Sequence, residues 1–163
     1  YKLNKGKNNK KNPKTYTSAK KVVLKKPTRK GYAFKGWYTN SNYTKKITSI
    51  KKGSKKNYTV YAKWSKVKVK KTTGLKVTNT KGKNLVVKYS KVSGAKGYQI
   101  TYATNSKFTK SKKVVNTTKR TKTIKKLKKG KTYYVRVRAY KKDSTGRKVY
   151  GKYSKVMKVK ITK

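Results

Sequence analysis

Side chains able to bind an anion alternate with apolar ones along residues 133–140. Because successive side chains of a β-strand point to opposite faces, one face would carry the polar set: Tyr134, Arg136, Arg138 and Tyr140. Guanidinium groups bind sulfate, phosphate or carboxylate through paired hydrogen bonds. The pattern predicts an anion-binding strip flanked by two exposed tyrosines. The alternative is a solvated sheet face in a chain whose exposed positions are mostly lysine.

Composition argues against catalysis. The 163-residue chain has 53 lysines and arginines, one acidic residue (Asp143) and no histidine or cysteine, for a formal net charge of +52. Paired carboxylates and Ser-His-Asp or Cys-His nucleophile systems cannot be built from these residues. Clustered ligands for zinc, calcium or transition metals are absent as well. A lysine- or tyrosine-based mechanism would lack a carboxylate partner, so we expect a protein that is not an enzyme and needs no cofactor or metal.

The charge raises the question of disorder. Hydrophobic residues make up 32% of the chain, and low hydrophobicity with high net charge is typical of disordered proteins. Fifteen tyrosines, two tryptophans and two phenylalanines nevertheless supply large apolar surfaces, and there are only two prolines. Apolar and polar residues also alternate over long stretches. These features predict a folded chain with a thin core and a lysine-covered surface.

The side chains of the predicted anion-binding strip would be positioned by β-strands, in which polar and apolar residues alternate with a period of two. Strand-like runs occur at residues 21–24, 58–62, 85–89, 98–102 and 133–140, with glycine-containing turns between them. Short strands at this spacing predict a mainly β chain with a sandwich or barrel-like architecture. No convincing helical stripe is present.

A change of composition between Trp64 and Gly74 predicts a domain boundary. We expect one domain at residues 1–65, a linker at 66–73 and a second domain at 74–163. The segment at residues 65–73 could instead provide the last strand of the first domain. No period repeats across the two halves, which argues against a tandem of identical units.

The first half carries a specific motif. Residues 31–38 read Gly-Tyr-Ala-Phe-Lys-Gly-Trp-Tyr, residues 60–64 read Val-Tyr-Ala-Lys-Trp, and the chain opens Tyr-Lys-Leu-Asn-Lys-Gly. This resembles the internalin-type B repeat, also called the Listeria–Bacteroides repeat. The resemblance implies a small β-grasp-like module of bacterial surface proteins. Lys5 replaces a family glycine and puts the local turn geometry in question, since lysine at positive φ is unfavourable.

Aromatic residues of this half allow two interpretations. Trp37, Tyr38, Tyr43 and Trp64 could form a platform on which sugar rings stack. The favoured interpretation is that the two tryptophans are core residues, because a unit of this size has few other apolar side chains to bury.

The second half resembles a fibronectin type III domain. Residues 127–139 read Leu-Lys-Lys-Gly-Lys-Thr-Tyr-Tyr-Val-Arg-Val-Arg-Ala, which departs from the family pattern at Lys129 and Lys131. Leu127 and Tyr133 have the spacing of a tyrosine corner. The resemblance implies a β-sandwich in which a last strand near residues 157–161 lies beside 133–140. Lys158 and Lys160 would then join Arg136 and Arg138 on one face.

These observations predict a non-catalytic segment of a secreted or cell-wall-associated bacterial protein, an adhesive or spacer module that binds teichoic acid, glycosaminoglycan or another polyanion through surface lysines. Lysine pairs are dispersed over both halves, which favours a diffuse coating without a single groove. The alternatives are an accessory region of a larger secreted enzyme and, less favoured, a nucleic-acid-binding protein. Counterion release alone would give non-specific nucleic-acid binding in vitro.

The sequence contains no membrane-spanning apolar run and no signal-peptide segment. The chain opens at Tyr1 with a strand-like stretch and no methionine, so we expect a fragment or processed product with any targeting segment upstream. The oligomeric state is left open.

Overall fold

The computed structural model describes residues 1–163 and contains thirteen β-strands and no helix. This confirms the prediction of a mainly β chain. Two compact units are present: residues 1–67 with 142–147 form the first, and residues 68–141 with 148–163 form the second. The structure has no helix long and apolar enough to cross a membrane. The predicted bounds of 1–65, 66–73 and 74–163 stay a prediction.

The first unit is built from short strands joined by long loops. Its strands are β1 (Val22–Val23), β2 (Tyr32–Tyr38), β3 (Lys46–Ile47), β4 (Ser49–Ile50) and β5 (Tyr61–Lys66). They form a three-stranded antiparallel sheet in the order β3-β2-β5 and a separate β1-β4 pair. The register of β2 against β5 shifts between Phe34 and Gly36. The finer β-grasp assignment of this unit stays a prediction.

The buried cluster of the first unit is small. It contains Leu24, Trp37, Val60 and Ala62. Half-buried side chains such as Phe34 and Trp64 pack against it. Lys5 has a φ of 67°, so a non-glycine residue does occupy the left-handed region where the family has glycine.

The second unit is a two-sheet β-sandwich. Its strands are β6 (Lys76–Thr80), β7 (Asn84–Lys88), β8 (Gly97–Ala103), β9 (Lys113–Thr117), β10 (Thr121–Ile124), β11 (Thr132–Lys142), β12 (Lys148–Tyr150) and β13 (Met157–Lys160). One sheet has the order β10-β7-β6. The other has the order β12-β11-β8-β9, with β13 also paired to β11. The pairs β6–β7, β7–β10, β8–β9, β8–β11 and β11–β13 are all antiparallel, as hairpin-connected strands favour.

Alternation along β11 orients its side chains as the sequence predicts. Tyr133, Val135, Val137 and Ala139 are buried in the core between the sheets, whereas Tyr134, Arg136 and Arg138 are half-buried on the other face. The predicted tyrosine corner is also present, because the Tyr133 hydroxyl accepts a hydrogen bond from the Lys128 N–H at 3.2 Å. The fibronectin-type sandwich predicted for this half is confirmed.

The entry of the chain into the second unit is anchored at Thr72. This side chain is fully buried, and its hydroxyl oxygen accepts a hydrogen bond from the Ala139 N–H at 2.9 Å. A buried backbone N–H left without a partner is costly, so this contact ties residue 72 to β11.

Candidate anion-binding surface

The six predicted site residues all lie on the sheet that contains β11. Lys158 is directly opposite Tyr134 in the β11–β13 register, and Lys160 is opposite Thr132. On the other side of β11, Arg136 is opposite Thr101 and Arg138 is opposite Gln99. The two lysines are exposed, but neither lies directly opposite an arginine. Anion binding by this strip stays a prediction.

Aromatic rings cover both arginines. The guanidinium carbon of Arg136 lies 4.0 Å from the ring centroids of Phe108 and Tyr153. That of Arg138 lies 3.9 Å from the Tyr150 centroid and 4.6 Å from the Tyr153 centroid. Cations this close to aromatic faces are attracted by the ring quadrupole, typically by about 0.5–2 kcal/mol per pair. We call these five side chains the arginine–aromatic stack.

Hydrogen bonds hold the stack in place. The Nε of Arg138 donates to Gln99 Oε1 at 2.9 Å, and Gln99 Nε2 donates to the Tyr150 hydroxyl at 3.3 Å. The Tyr153 hydroxyl lies 3.3 Å from Thr101 Oγ1. The Nε of Arg136 is enclosed and has no hydrogen-bond partner in the protein. Aromatic rings occupy the flat faces of both guanidinium groups, and Gln99 occupies the Arg138 Nε. This arrangement can stiffen the sheet face. It leaves only the outer guanidinium nitrogens for an anion.

Sequence reasoning did not include Phe108, Tyr150 or Tyr153 in the site. The two tyrosines lie on either side of Gly151 and shortly before β13 in the sequence, and this nearness was a signal for aromatic cover on this face. Phe108 comes from the β8–β9 loop, where it has a φ of 57°. No local pattern relates that loop to Arg136.

Tyr140 is buried, which corrects the prediction that two exposed tyrosines flank the strip. Its relative exposure is 8%, and its ring meets the Tyr150 ring edge-on at 5.8 Å. The cause is its partner in β8: Gly97 has no side chain, and a Cβ there would lie 2.5 Å from the Tyr140 hydroxyl oxygen. The ring folds over this gap. Tyr134 is half-buried.

The aromatic side chains of the first unit do not form an open platform. Trp37 is 2% exposed, and its Nε1 donates to the Lys25 carbonyl at 3.1 Å. The half-buried Trp64 packs against the core and donates to the Leu3 carbonyl at 2.9 Å. Tyr38 and Tyr43 meet edge to face at 5.6 Å. These contacts favour core packing over sugar stacking.

The only side-chain carboxylate, that of Asp143, is hydrogen-bonded to backbone groups of the first unit. Asp143 is buried and accepts hydrogen bonds from the N–H groups of Gly31, Thr145 and Arg147 and from the Thr145 hydroxyl. Burial on its own raises the pKa of Asp143, but these hydrogen bonds stabilise the charged form and hold the pKa below its ordinary value. With no other acidic side chain in the chain, the lysines have no carboxylate partners to neutralise them.

An antiparallel sandwich with a tyrosine corner and alternating inward residues defines a fibronectin-type β-sandwich module. The family model of the fibronectin type III domain matches residues 70–152, and the chain belongs to this family. The model of the Listeria-Bacteroides repeat domain matches residues 1–63. The predicted order, a B repeat followed by a fibronectin type III domain, is confirmed. Both modules are typically non-catalytic and occur in bacterial surface or extracellular proteins.

The chain is similar to solved structures of fibronectin type III domains. The chicken CNTN1 FN1-FN3 domains are 18% identical with a TM-score of 0.50, covering 71% of this chain and 39% of that one. An Fn3-like protein from Clostridium thermocellum is 23% identical with a TM-score of 0.45, covering 56% and 92%. The sixth domain of human fibronectin type III domain containing protein 3 is 17% identical with a TM-score of 0.48, covering 60% and 90%. No curated protein sequence matches the chain. At 18% identity, the likeness to the chicken CNTN1 domains concerns the fold alone.

Proposed function

We propose that the chain is a non-catalytic spacer or adhesive segment of a secreted or cell-wall-associated bacterial protein that binds anionic polymers through its surface lysines. The observation that carries this proposal is 53 cationic side chains against one carboxylate in a folded two-module chain. A solubility role would need far fewer charges, since a net charge of magnitude about 2–8 suffices for a small domain.

The spacing of the cations favours a polymer over a small ion. Dividing 11279 Å² of accessible surface by 53 cations gives about one cation per 210 Å². The mean separation is then about 15 Å, which exceeds the Debye length of ~8 Å at physiological salt. A single small anion is therefore attracted by only a few lysines at a time. A long polyanion contacts many and releases counterions at each contact, so affinity comes from the number of contacts.

The bacterial exterior offers suitable polymers, namely phosphate-rich teichoic acids of the wall and sulfated glycosaminoglycans of a host. Lysine is a compact, strongly hydrated charge and a poor reader of base edges, and the arginines better suited to that reading number five. Two of those five are held in the arginine–aromatic stack. Nucleic acid is therefore expected to bind only through the same non-specific electrostatics.

The test is a binding screen against teichoic acid, heparin and duplex DNA at 0.15 M and 0.5 M salt. Binding to all three at the lower salt, with a steep loss at the higher salt, is the expected result. Acetylation of the lysines should abolish binding at both salts because it removes the charge. No binding to any of the polymers at 0.15 M would refute the proposal.

Two variants separate the predicted strip from the general lysine coating. Arg136→Ala and Arg138→Ala remove its guanidinium groups, while Lys158→Gln and Lys160→Gln remove its exposed ammonium groups. If the strip is a specific anion site, both pairs weaken binding more than the loss of two lysines elsewhere on the second unit. Equal effects would assign binding to the coating as a whole.

A further inference from the structure

A groove in the second unit gathers lysines from separate segments. It has a volume of about 570 Å³ and is bordered by Lys113 at the start of β9 and by four lysines of the β10–β11 loop region: Lys125, Lys126, Lys128 and Lys131. All five are exposed. A pocket of about 380 Å³ in the first unit has one lysine, Lys14, among tyrosines and apolar side chains. In this groove, the charge that is dispersed in the sequence is concentrated around a concave surface. We call it the lysine groove.

The backbone under these lysines is held firmly. Leu127 is 6% exposed, and its N–H donates to the Lys83 carbonyl at 3.0 Å. Gly130 N–H donates to the Ile161 carbonyl at 2.8 Å, and Lys128 N–H donates to the Tyr133 hydroxyl. Because Leu127 is buried in the core, its neighbours Lys126 and Lys128 point toward solvent. A fixed frame lowers the entropy cost of holding several ammonium groups around one ligand.

The second unit has no acidic side chain that could neutralise the groove. The only acidic side chain of the protein, Asp143, belongs to the first unit and is bonded to backbone N–H groups there. Neighbouring ammonium groups repel one another, and a concave wall of low dielectric concentrates their field. A multivalent anion relieves that repulsion and gains from every lysine it reaches.

Tyr102 adds a hydrogen-bond donor to the wall. Tyr102 as a whole is 6% exposed, but its hydroxyl has no hydrogen-bond partner in the protein. The hydroxyl is not enclosed either, since Arg136 Nε is the one enclosed side-chain polar atom without a partner. The hydroxyl groups of other core tyrosines in this unit do have partners: that of Tyr89 donates to the Lys119 carbonyl, and that of Tyr98 accepts from Val92 N–H. Burial and then the neighbouring Tyr133 raise the pKa of Tyr102, so the hydroxyl keeps its proton.

We infer that the lysine groove is a binding site for closely spaced sulfate or phosphate groups of an anionic polymer, and that the Tyr102 hydroxyl donates a hydrogen bond to one of their oxygens. This inference rests on the proposed function and deepens it: most lysines attract the polymer diffusely, and these five hold one segment of it. Ammonium groups form charge-assisted hydrogen bonds with such oxygens, which are about twice as strong as neutral ones.

The test uses two short probes at 0.15 M salt, a heparin tetrasaccharide for sulfate and inorganic tripolyphosphate for phosphate. The groove variant is Lys113→Gln, Lys126→Gln, Lys131→Gln. The matched control is Lys76→Gln, Lys88→Gln, Lys91→Gln, which removes the same charge from exposed positions of the same unit. We expect the groove variant to raise Kd at least about tenfold and the control less than about twofold. Thermal melts confirm that both variants are folded.

Tyr102→Phe is the second variant. Because the hydroxyl has no partner in the protein, melting should change little, whereas Kd for the preferred probe should rise about threefold to tenfold. Preference for one probe identifies the source of the anionic groups. Two results would overturn the inference about the groove: equal losses of affinity in the groove and control variants, or no binding of either short probe by the wild type. If long polymers still bind in that case, the proposed function stands. Failure of long polymers to bind overturns the proposed function itself.

Discussion

In the second unit, fourteen buried hydrophobic side chains from both sheets pack into one cluster, whereas the buried cluster of the first unit contains four. The first unit compensates with half-buried aromatic rings and with polar side chains bonded to its own loops. Asn12 is an example, since its amide bridges Asn8 and both backbone groups of Lys25. A small unit with little buried apolar surface has a small margin of stability.

The same loss of stability therefore has different consequences in the two units. A loss of about 3 kcal/mol is tolerable for an ordinary domain but is comparable to the whole stability of about 3–5 kcal/mol that a small core supplies. The chain provides its own probe of this difference, because both tryptophans, Trp37 and Trp64, lie in the first unit. Tryptophan fluorescence therefore reports the first unit, and backbone amide NMR spectra report both.

The largest expected effect is that of Trp37→Ala. This substitution removes the largest side chain of a four-residue cluster and should cost about 3–5 kcal/mol. The first unit should be unfolded at 25 °C, with Trp64 fluorescence shifted to that of exposed indole and the second unit's amide signals unchanged. Val23→Ala, at a position that is 50% exposed, is the control. A cooperative fluorescence transition retained by Trp37→Ala would show that the core of this unit is larger than its buried cluster.

Ile100→Ala makes the corresponding change in the second unit. Ile100 is fully buried among fourteen core residues, and its truncation should cost about 2–5 kcal/mol. We expect this unit to remain folded at 25 °C with a lower melting temperature, measured by circular dichroism. The midpoint of the tryptophan fluorescence transition should not move. Complete unfolding of the second unit would remove the contrast between the two cores.

Asn12→Ala tests the polar support of the first unit. The substitution removes the side-chain acceptor of the half-buried Lys25 N–H and one of the two side-chain donors to the Lys25 carbonyl, the other being Trp37 Nε1; this should cost about 1–3 kcal/mol. Chemical denaturation followed by tryptophan fluorescence measures the change. Asn42→Ala, at an exposed position, should cost less than about 0.5 kcal/mol. Similar midpoints for the two variants would count against a structural role for Asn12.

The smallest expected effect is a pH dependence confined to the first unit. Apart from the chain termini, Asp143 is the only group that titrates between about pH 2 and 8, because the chain has no glutamate and no histidine. Its pKa is lowered in the folded state, so the unfolded state binds the proton more tightly and stability rises with pH. The contribution of Asp143 is therefore fully present above its ordinary pKa of 3.8 and is lost as the pH falls through the lower folded value.

Fluorescence melts of the wild type and Asp143→Asn between pH 2 and 7 measure this effect. The wild type should lose melting temperature on acidification, and the variant should be less stable at pH 7 with a flat profile. The second unit, which has no carboxyl side chain, serves as the internal control. A flat profile for the wild type would mean that the hydrogen bonds to Asp143 do not favour its charged form.

The alternation of β11 could be predicted from the sequence because the side-chain period of a strand is a local property. Val135 and Val137 face the core for that reason, and Arg136 and Arg138 face away from it. The cover over these arginines could not be predicted in the same way. It depends on Phe108 and Tyr153, which reach the face from other segments.

The burial of Tyr140 and the lysine groove have the same kind of origin. Tyr140 is buried because Gly97 on the neighbouring strand leaves room for its ring to lie over the sheet face. Lys113 meets the lysines of the β10–β11 loop because the sandwich brings the start of β9 beside that loop. Dispersed lysine pairs in the sequence predicted a diffuse coating, and they carry no information on which lysines converge.

The class of molecule follows from the residues alone: a mainly β, two-module chain with a net charge of +52, no histidine or cysteine and one acidic side chain. These conclusions depend on residue counts, local periodicity and short motifs, which do not change with the packing of distant segments. The tertiary structure alone decided which cations are covered by aromatic rings and which surround a groove. The physical reason is that charge is a sum over residues, whereas a site is a matter of distances between residues far apart in the chain.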